Sequence, residues 1–189
     1  MEEKVTKGEK SKQFLIEKSA ELFLKNGYYN TGLSQILKEC NLTKGSFYFY
    51  FKSKDELGVA VADYYGETIC QWFEQCLTGA NTYREFIHNI VSEIFNGISE
   101  GKYYGCPYTC FATETAGQVE EIAESCRKAI DNMLSIFTKG ILLDGHSPAD
   151  AKKSAGKALG IYEGFLVYYR IVKDESIIRQ MEETLLDII

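Results

Sequence analysis

The chain has 189 residues, 45% of them hydrophobic, with two prolines and a net charge of −6. That length suits one large domain or a small domain joined to a medium one, and the bulk charge gives no sign of a nucleic-acid partner. Long Pro-free stretches with Leu, Ile and Phe at three- and four-residue spacing predict an all-α protein.

Charge is unevenly spread. Residues 1–58 carry ten Lys against eight acids, net +2, and the remainder is net −8. This predicts two parts with different partners. The N-terminal "MEEKVTKGEK" has no apolar core, and the richest apolar run, 158–172, contains Glu163 and Arg170. Neither a secretory signal nor a membrane partner is expected, so the six cysteines are expected to be reduced in a cytoplasm. They show no CxxC pairing, and no metal or cofactor is expected.

In chain order, residues 10–26 predict a helix burying Leu15, Ile16, Ala20 and Phe23, ended by Asn26-Gly27. Thr31 is the expected N-cap of a short second helix carrying Leu33, Ile36 and Leu37 inward. The turn near Asn41 needs a left-handed residue, which Asn can supply. Thr43 is expected to cap a third short helix. The S-x-x-E of Ser53–Glu56 then opens a long fourth helix running to about Leu77. Further helices are expected at 82–99, from Pro107, at 118–143, at 148–172 and at 175–188. Gly145, Ser147 and Pro148 supply the stop and restart between two of them.

The third helix contains "SFYFYF", which alternates like a strand and has strand propensity. A strand there would be the only one in the chain and would lack a pairing partner. Read as a helix, the stretch sorts by face: Phe47 and Phe51 inward, Lys44 with Tyr48 on a second face, Ser46 with Tyr50 on a third. Phe49 fits either a sugar-phosphate edge or the fourth helix. Helix, short turn and helix make a helix-turn-helix, whose second helix enters the major groove by its N-terminal residues. Gly45 and Ser46 keep that end slim, and Lys44 can donate to a guanine edge or a phosphate. Tyr48 and Tyr50 can donate hydroxyls to phosphates. Lys54, at the start of the fourth helix, is expected to hold a phosphate with the free backbone N–H groups.

The stretch "AELFLKNGYYNTGLSQILKECNLTKGSFYFYFKSKDEL" resembles the DNA-binding domain of the TetR family of bacterial transcriptional regulators, over residues of about 12–58. Asn41 departs from the family's usual Gly. The resemblance implies DNA contacts from Thr31, Ser34, Lys44, Gly45, Ser46, Tyr48, Tyr50 and Lys54. It implies a DNA-binding domain at 1–58 and a helical effector-binding and dimerisation domain at 59–189. It also implies a homodimer on a double-stranded DNA operator and an unidentified small-molecule effector. The Gly-Cys of "YYGCPYTCFATETAG" resembles a subgroup with that pair before the sixth helix.

Cys106 and Cys110 are four apart. They read as small buried hydrophobes, as pocket-lining residues or as a thiol redox switch replacing an effector. Trp72, Tyr104, Tyr108, Phe111, Tyr162 and Phe165 join those cysteines as candidates to line an effector pocket, although aromatics at helical spacing are also ordinary core. Gly156, Gly160 and Gly164 form a ridge that fits a close-packed helix. With Ile178, Met181 and Leu185 of the last helix they are the expected dimer interface; packing within the subunit is the alternative. His88 and His146 stand alone as expected packing or surface residues. With no catalytic set in view, the chain is not expected to be an enzyme.

Overall fold

The computed structural model describes residues 6–101, 103 and 105–189. Among these are nine helices and no strand. They are α1 (Lys7–Asn26), α2 (Leu33–Glu39), α3 (Lys44–Tyr50), α4 (Lys54–Leu77), α5 (Tyr83–Ser99), α6 (Pro107–Thr115), α7 (Glu120–Leu142), α8 (Pro148–Val172) and α9 (Ser176–Leu186). Tyr104 lies outside the described residues.

The boundaries have local causes. Thr6 and Glu9 form a reciprocal capping box that starts α1 three residues earlier than expected. Gly27, at φ 85°, ends it. Thr43 Oγ1 accepts the Ser46 N–H at 3.1 Å to open α3, and Ser53 Oγ accepts the Glu56 N–H at 3.0 Å to open α4. Ser147 caps α8, with Pro148 in its first turn. Asn41 takes the left-handed conformation, φ 51°, in the turn between α2 and α3.

The chain forms two compact units. One comprises residues up to Glu67 together with Cys110–Arg127, and the other comprises Thr68–Thr109 with Lys128–Ile189. A division after residue 58 would fall inside α4; the observed units divide within α4, α6 and α7, so each of those helices supplies residues to both.

In the first unit Leu15, Ile36, Phe47, Leu57 and Val61 are fully buried. Phe111 of α6 joins this core, stacked on Phe23 at 5.8 Å between ring centroids and edge-on to Tyr28 at 5.7 Å. Gly58 lets Ile122 and Tyr28 approach: a Cβ there would lie 2.7 Å from Ile122 Cδ1.

In the second unit Phe73, Phe86, Phe137 and Tyr162 interlock at centroid distances from 5.1 to 6.2 Å. α9 packs against α5 and α8. That contact corrects part of the expected dimer interface. Ile178, Met181 and Leu185 have no exposed surface, because their own subunit covers them. An amphipathic stripe specifies that something must cover it but not which chain does.

Candidate nucleic-acid interface

α2 and α3 are joined by the short turn from Cys40 to Thr43, in which the Leu42 N–H donates to the Leu37 carbonyl at 2.9 Å. Phe47 is fully buried and Phe51 is 3% exposed, and their rings lie 6.0 Å apart. These two side chains anchor α3 and leave its opposite side to solvent. Lys44, Gly45 and Tyr48 are exposed there, and Ser46 and Tyr50 are half-buried. Ser46 Oγ also shares a hydrogen bond with Thr43 Oγ1 at 2.8 Å. Phe49 is 81% exposed, its only ring neighbour among the described residues being Tyr50, edge-on at 5.0 Å. The third helix is therefore sorted by face as expected, and Phe49 belongs to its solvent side rather than to α4.

One of the expected DNA contacts, Thr31, is corrected, and a second, Lys54, has partners inside the protein. Thr31 is fully buried, and its hydroxyl donates to the Gly27 carbonyl at 2.7 Å. Gly32, not Thr31, is the N-cap of α2. The Thr31 side chain has turned back to α1's end, so it reaches neither the helix start nor a DNA groove. Lys54 Nζ donates to the carbonyls of Tyr28 at 2.8 Å and Thr31 at 3.1 Å, with the Tyr28 ring centroid 4.1 Å away. Burial pulls its pKa below the usual lysine value, opposed by Asp55 and Glu114. Two of its three donors are thus spent inside the protein. Ser34 is exposed, as a contact requires.

Tyr28 is the residue this network holds. Its N–H donates to Glu114 Oε2 at 2.8 Å, its carbonyl accepts from Lys54, and its hydroxyl donates to Asp55 Oδ1. The Tyr29 N–H donates to the other Glu114 oxygen at 2.9 Å. Burial, then the Asp55 hydrogen bond, raises the Tyr28 pKa far above its ordinary value. Glu114 lies 86 residues from Tyr28 in sequence, and sequence reasoning missed it because no local pattern marks such a pairing.

A slim helix start that presents a lysine and a tyrosine, braced by two buried phenylalanines behind a four-residue turn, defines a helix-turn-helix DNA-binding module. Residues 15–61 match the family model for bacterial regulatory proteins of the tetR family. Residues 80–184, more than half the chain, match that for the C-terminal domain of LmrA/YxaF-like transcriptional regulators. The chain belongs to the TetR family and is a DNA-binding transcriptional regulator.

It is 27% identical to the HTH-type transcriptional regulator LmrA of Bacillus subtilis over 168 residues, covering 88% of this chain and 89% of that one. It is 29% identical to the HTH-type transcriptional repressor NemR of Escherichia coli K12 over 122 residues, covering 64% and 60% of the two. A TetR-family regulator from Cytophaga hutchinsonii superposes with a TM-score of 0.83 at 26% identity, covering 98% and 96%.

The described residues expected to line an effector pocket are divided between the two units. Cys110 and Phe111 belong to the first unit, Phe111 within its aromatic core. Tyr162 is locked against Phe73 and Phe137, and Tyr108 is buried. Phe165 is half-buried, and Trp72 lines a groove between α4 and α5. Cys106 precedes α6 rather than sharing a helical face with Cys110, and it is 4% exposed. None of the six cysteines forms a disulfide.

Glu163 is the unusual group of the second unit. One carboxylate oxygen accepts from the Thr109 hydroxyl; the other, Oε1, is buried without a partner. Burial raises the Glu163 pKa, opposed by the hydrogen bonds from Thr109 and Cys106. A raised folded-state pKa contributes stability that is complete below the unfolded value and is lost as pH rises through the folded one. Glu163→Gln removes the buried charge and keeps an acceptor for Thr109. Its melting temperature should exceed that of wild type by a few degrees at pH 7.5. The gap should close as pH falls toward the unfolded value of 4.5, as thermal melts across that range would show.

Proposed function

We propose that this regulator is a ligand-responsive repressor that binds a near-palindromic operator as a homodimer in the cytoplasm. The observation that carries the DNA-binding mode is the exposed start of α3, with Lys44, Gly45 and Tyr48 presented by the buried Phe47 and Phe51. Ser34, Ser46 and Tyr50 complete the contact set. In this reading each α3 enters one major groove, and the half-sites lie about 34–36 Å apart, or a multiple of that.

The dimer reading is supported by α8. Gly156, Gly160 and Gly164 are exposed, with no atom within 4 Å of where their Cβ atoms would stand. Val167, Tyr168 and Ile171 continue that face and are 47%, 51% and 75% exposed. Small residues beside an apolar surface suit a second helix packed closely, and a second copy supplies one by two-fold symmetry. Repression is supported by the relative NemR, an HTH-type transcriptional repressor. Control by an effector is favoured over thiol oxidation because Cys106 is buried and does not share a helical face with Cys110.

Genome-wide mapping of bound DNA would supply the operator. On it, Lys44→Ala should cost about 1–3 kcal/mol for a base contact and lower the salt slope of log K by about 0.9 if Lys44 also neutralises a phosphate. Tyr48→Phe should weaken binding at every salt concentration. Wild-type affinity for both variants would remove α3 from the groove, and a monomer by sedimentation at micromolar concentration would remove the dimer.

A further inference from the structure

A cavity of about 370 Å³ lies between α4 and α5 in the second unit, lined by Trp72, Gln75, Cys76, Asn89, Ser92 and Glu93. We propose that it binds a small organic cation of the quaternary-ammonium or protonated-amine class. Two independent features favour positive charge there, and none of the described lining residues is basic.

The first feature is Trp72, a half-buried indole on the wall, whose face carries the negative lobe of the ring quadrupole. The second is the Glu93 carboxylate. Its Oε1 accepts from Asn96 Nδ2 at 3.3 Å, which orients the group without neutralising it. Gln75 and Cys76 belong to the last turn of α4, which ends at Leu77. Asn89 Nδ2 donates to the Cys76 carbonyl at 2.8 Å, tying α5 to that helix end and leaving its amide oxygen as an acceptor. The Cys76 thiol registers the same field: burial first, then the Glu93 charge, pushes its pKa up to about 11. A neutral polyol could also donate to the carboxylate and the amides, but it lacks the charge that adds cation–π and Coulombic attraction at Trp72 and Glu93.

Binding at this groove stands apart from the DNA-binding reading; that the cation also alters DNA affinity rests on it. Trp72 is the only tryptophan of the chain, so its emission reports this wall alone. Full-length protein without DNA would be titrated with choline and with benzyltrimethylammonium, and the neutral isostere 3,3-dimethylbutan-1-ol would serve as comparator. A saturable change in Trp72 emission with at least one cation, and binding of the isostere at least tenfold weaker, is the expected result. Glu93→Gln, at an exposed position, should melt like wild type and weaken cation binding about tenfold. Equal affinity for the isostere, an unaffected Glu93→Gln, or no saturable change with either cation overturns the proposal. The same preparation is then tested on DNA. A cation that binds while DNA does not upholds the cavity and overturns the DNA-binding reading, whereas DNA binding without cation binding does the reverse.

Discussion

Phe47→Ala should cost about 3–5 kcal/mol of stability, while Phe49→Ala, two residues along the same run, should leave the melting temperature almost unchanged. Phe47 is fully buried, edge-on to Tyr48 at 5.4 Å and beside Phe51 at 6.0 Å, and its removal leaves a cavity at the base of α3. α3 is only seven residues long and has no stability of its own, so losing this anchor releases the helix. DNA binding should then fail because the fold of the first unit fails. Phe49 is 81% exposed and loses almost no burial when truncated. Any effect of Phe49→Ala on DNA affinity would therefore report a direct contact of the ring, such as packing on a sugar or a thymine methyl. Chemical denaturation followed by far-ultraviolet circular dichroism, beside DNA-binding anisotropy, separates the two variants. Equal stabilities for both would mean that α3 is not sorted by face as described.

Much of the first unit was legible because its signals are local. Thr43 and Ser53, like Ser147 in the second unit, each capped the helix that their position announced, since a hydroxyl side chain needs only an N–H three residues on. Phe47 and Phe51 were legible as anchors because four residues of helix return to the same face. Thr31 was misread for an equally local reason. A threonine before a helix suits an N-cap, yet this one found the Gly27 carbonyl four residues back, and Gly32 took the cap without a side chain. The internal partners of Lys54 were not legible because its acceptors lie 23 and 26 residues away, where no spacing rule reaches. The seam of α9 was read correctly as apolar and assigned to the wrong partner. Aromatics at helical spacing serve core and cavity alike, so spacing alone did not foretell that Tyr162 and Phe111 pack in the aromatic clusters of two different units.

Glu114→Ala is expected to destabilise the first unit by about 2–4 kcal/mol. The Glu114 carboxylate accepts two backbone N–H groups, those of Tyr28 and Tyr29, and hydrogen bonds to a charged group contribute about 1.5–3 kcal/mol each. The Tyr28 amide is part-buried, so losing its acceptor leaves an unpaired donor that water reaches only in part. The Tyr29 amide is exposed and recovers more, which sets the lower end of the range. Glu114→Gln should fall between, because a carboxamide offers one oxygen to two donors and turns an N–H group toward the second. Lys54→Met attacks the same turn from the other side by removing the donor to the Tyr28 and Thr31 carbonyls while keeping an apolar stem beside the Tyr28 ring. Both substitutions release Tyr28, so the double variant should cost less than the two single costs added together, with a coupling of about 0.5–3 kcal/mol. Lys54→Met also reads the salt slope of DNA binding: an unchanged slope would confine the ammonium to its carbonyl partners inside the protein. A slope lower by about 0.9 would return Lys54 to the phosphate contacts. A Glu114→Ala variant that melts like wild type would show that the turn after α1 is held by the Tyr28 ring and by Lys54 alone.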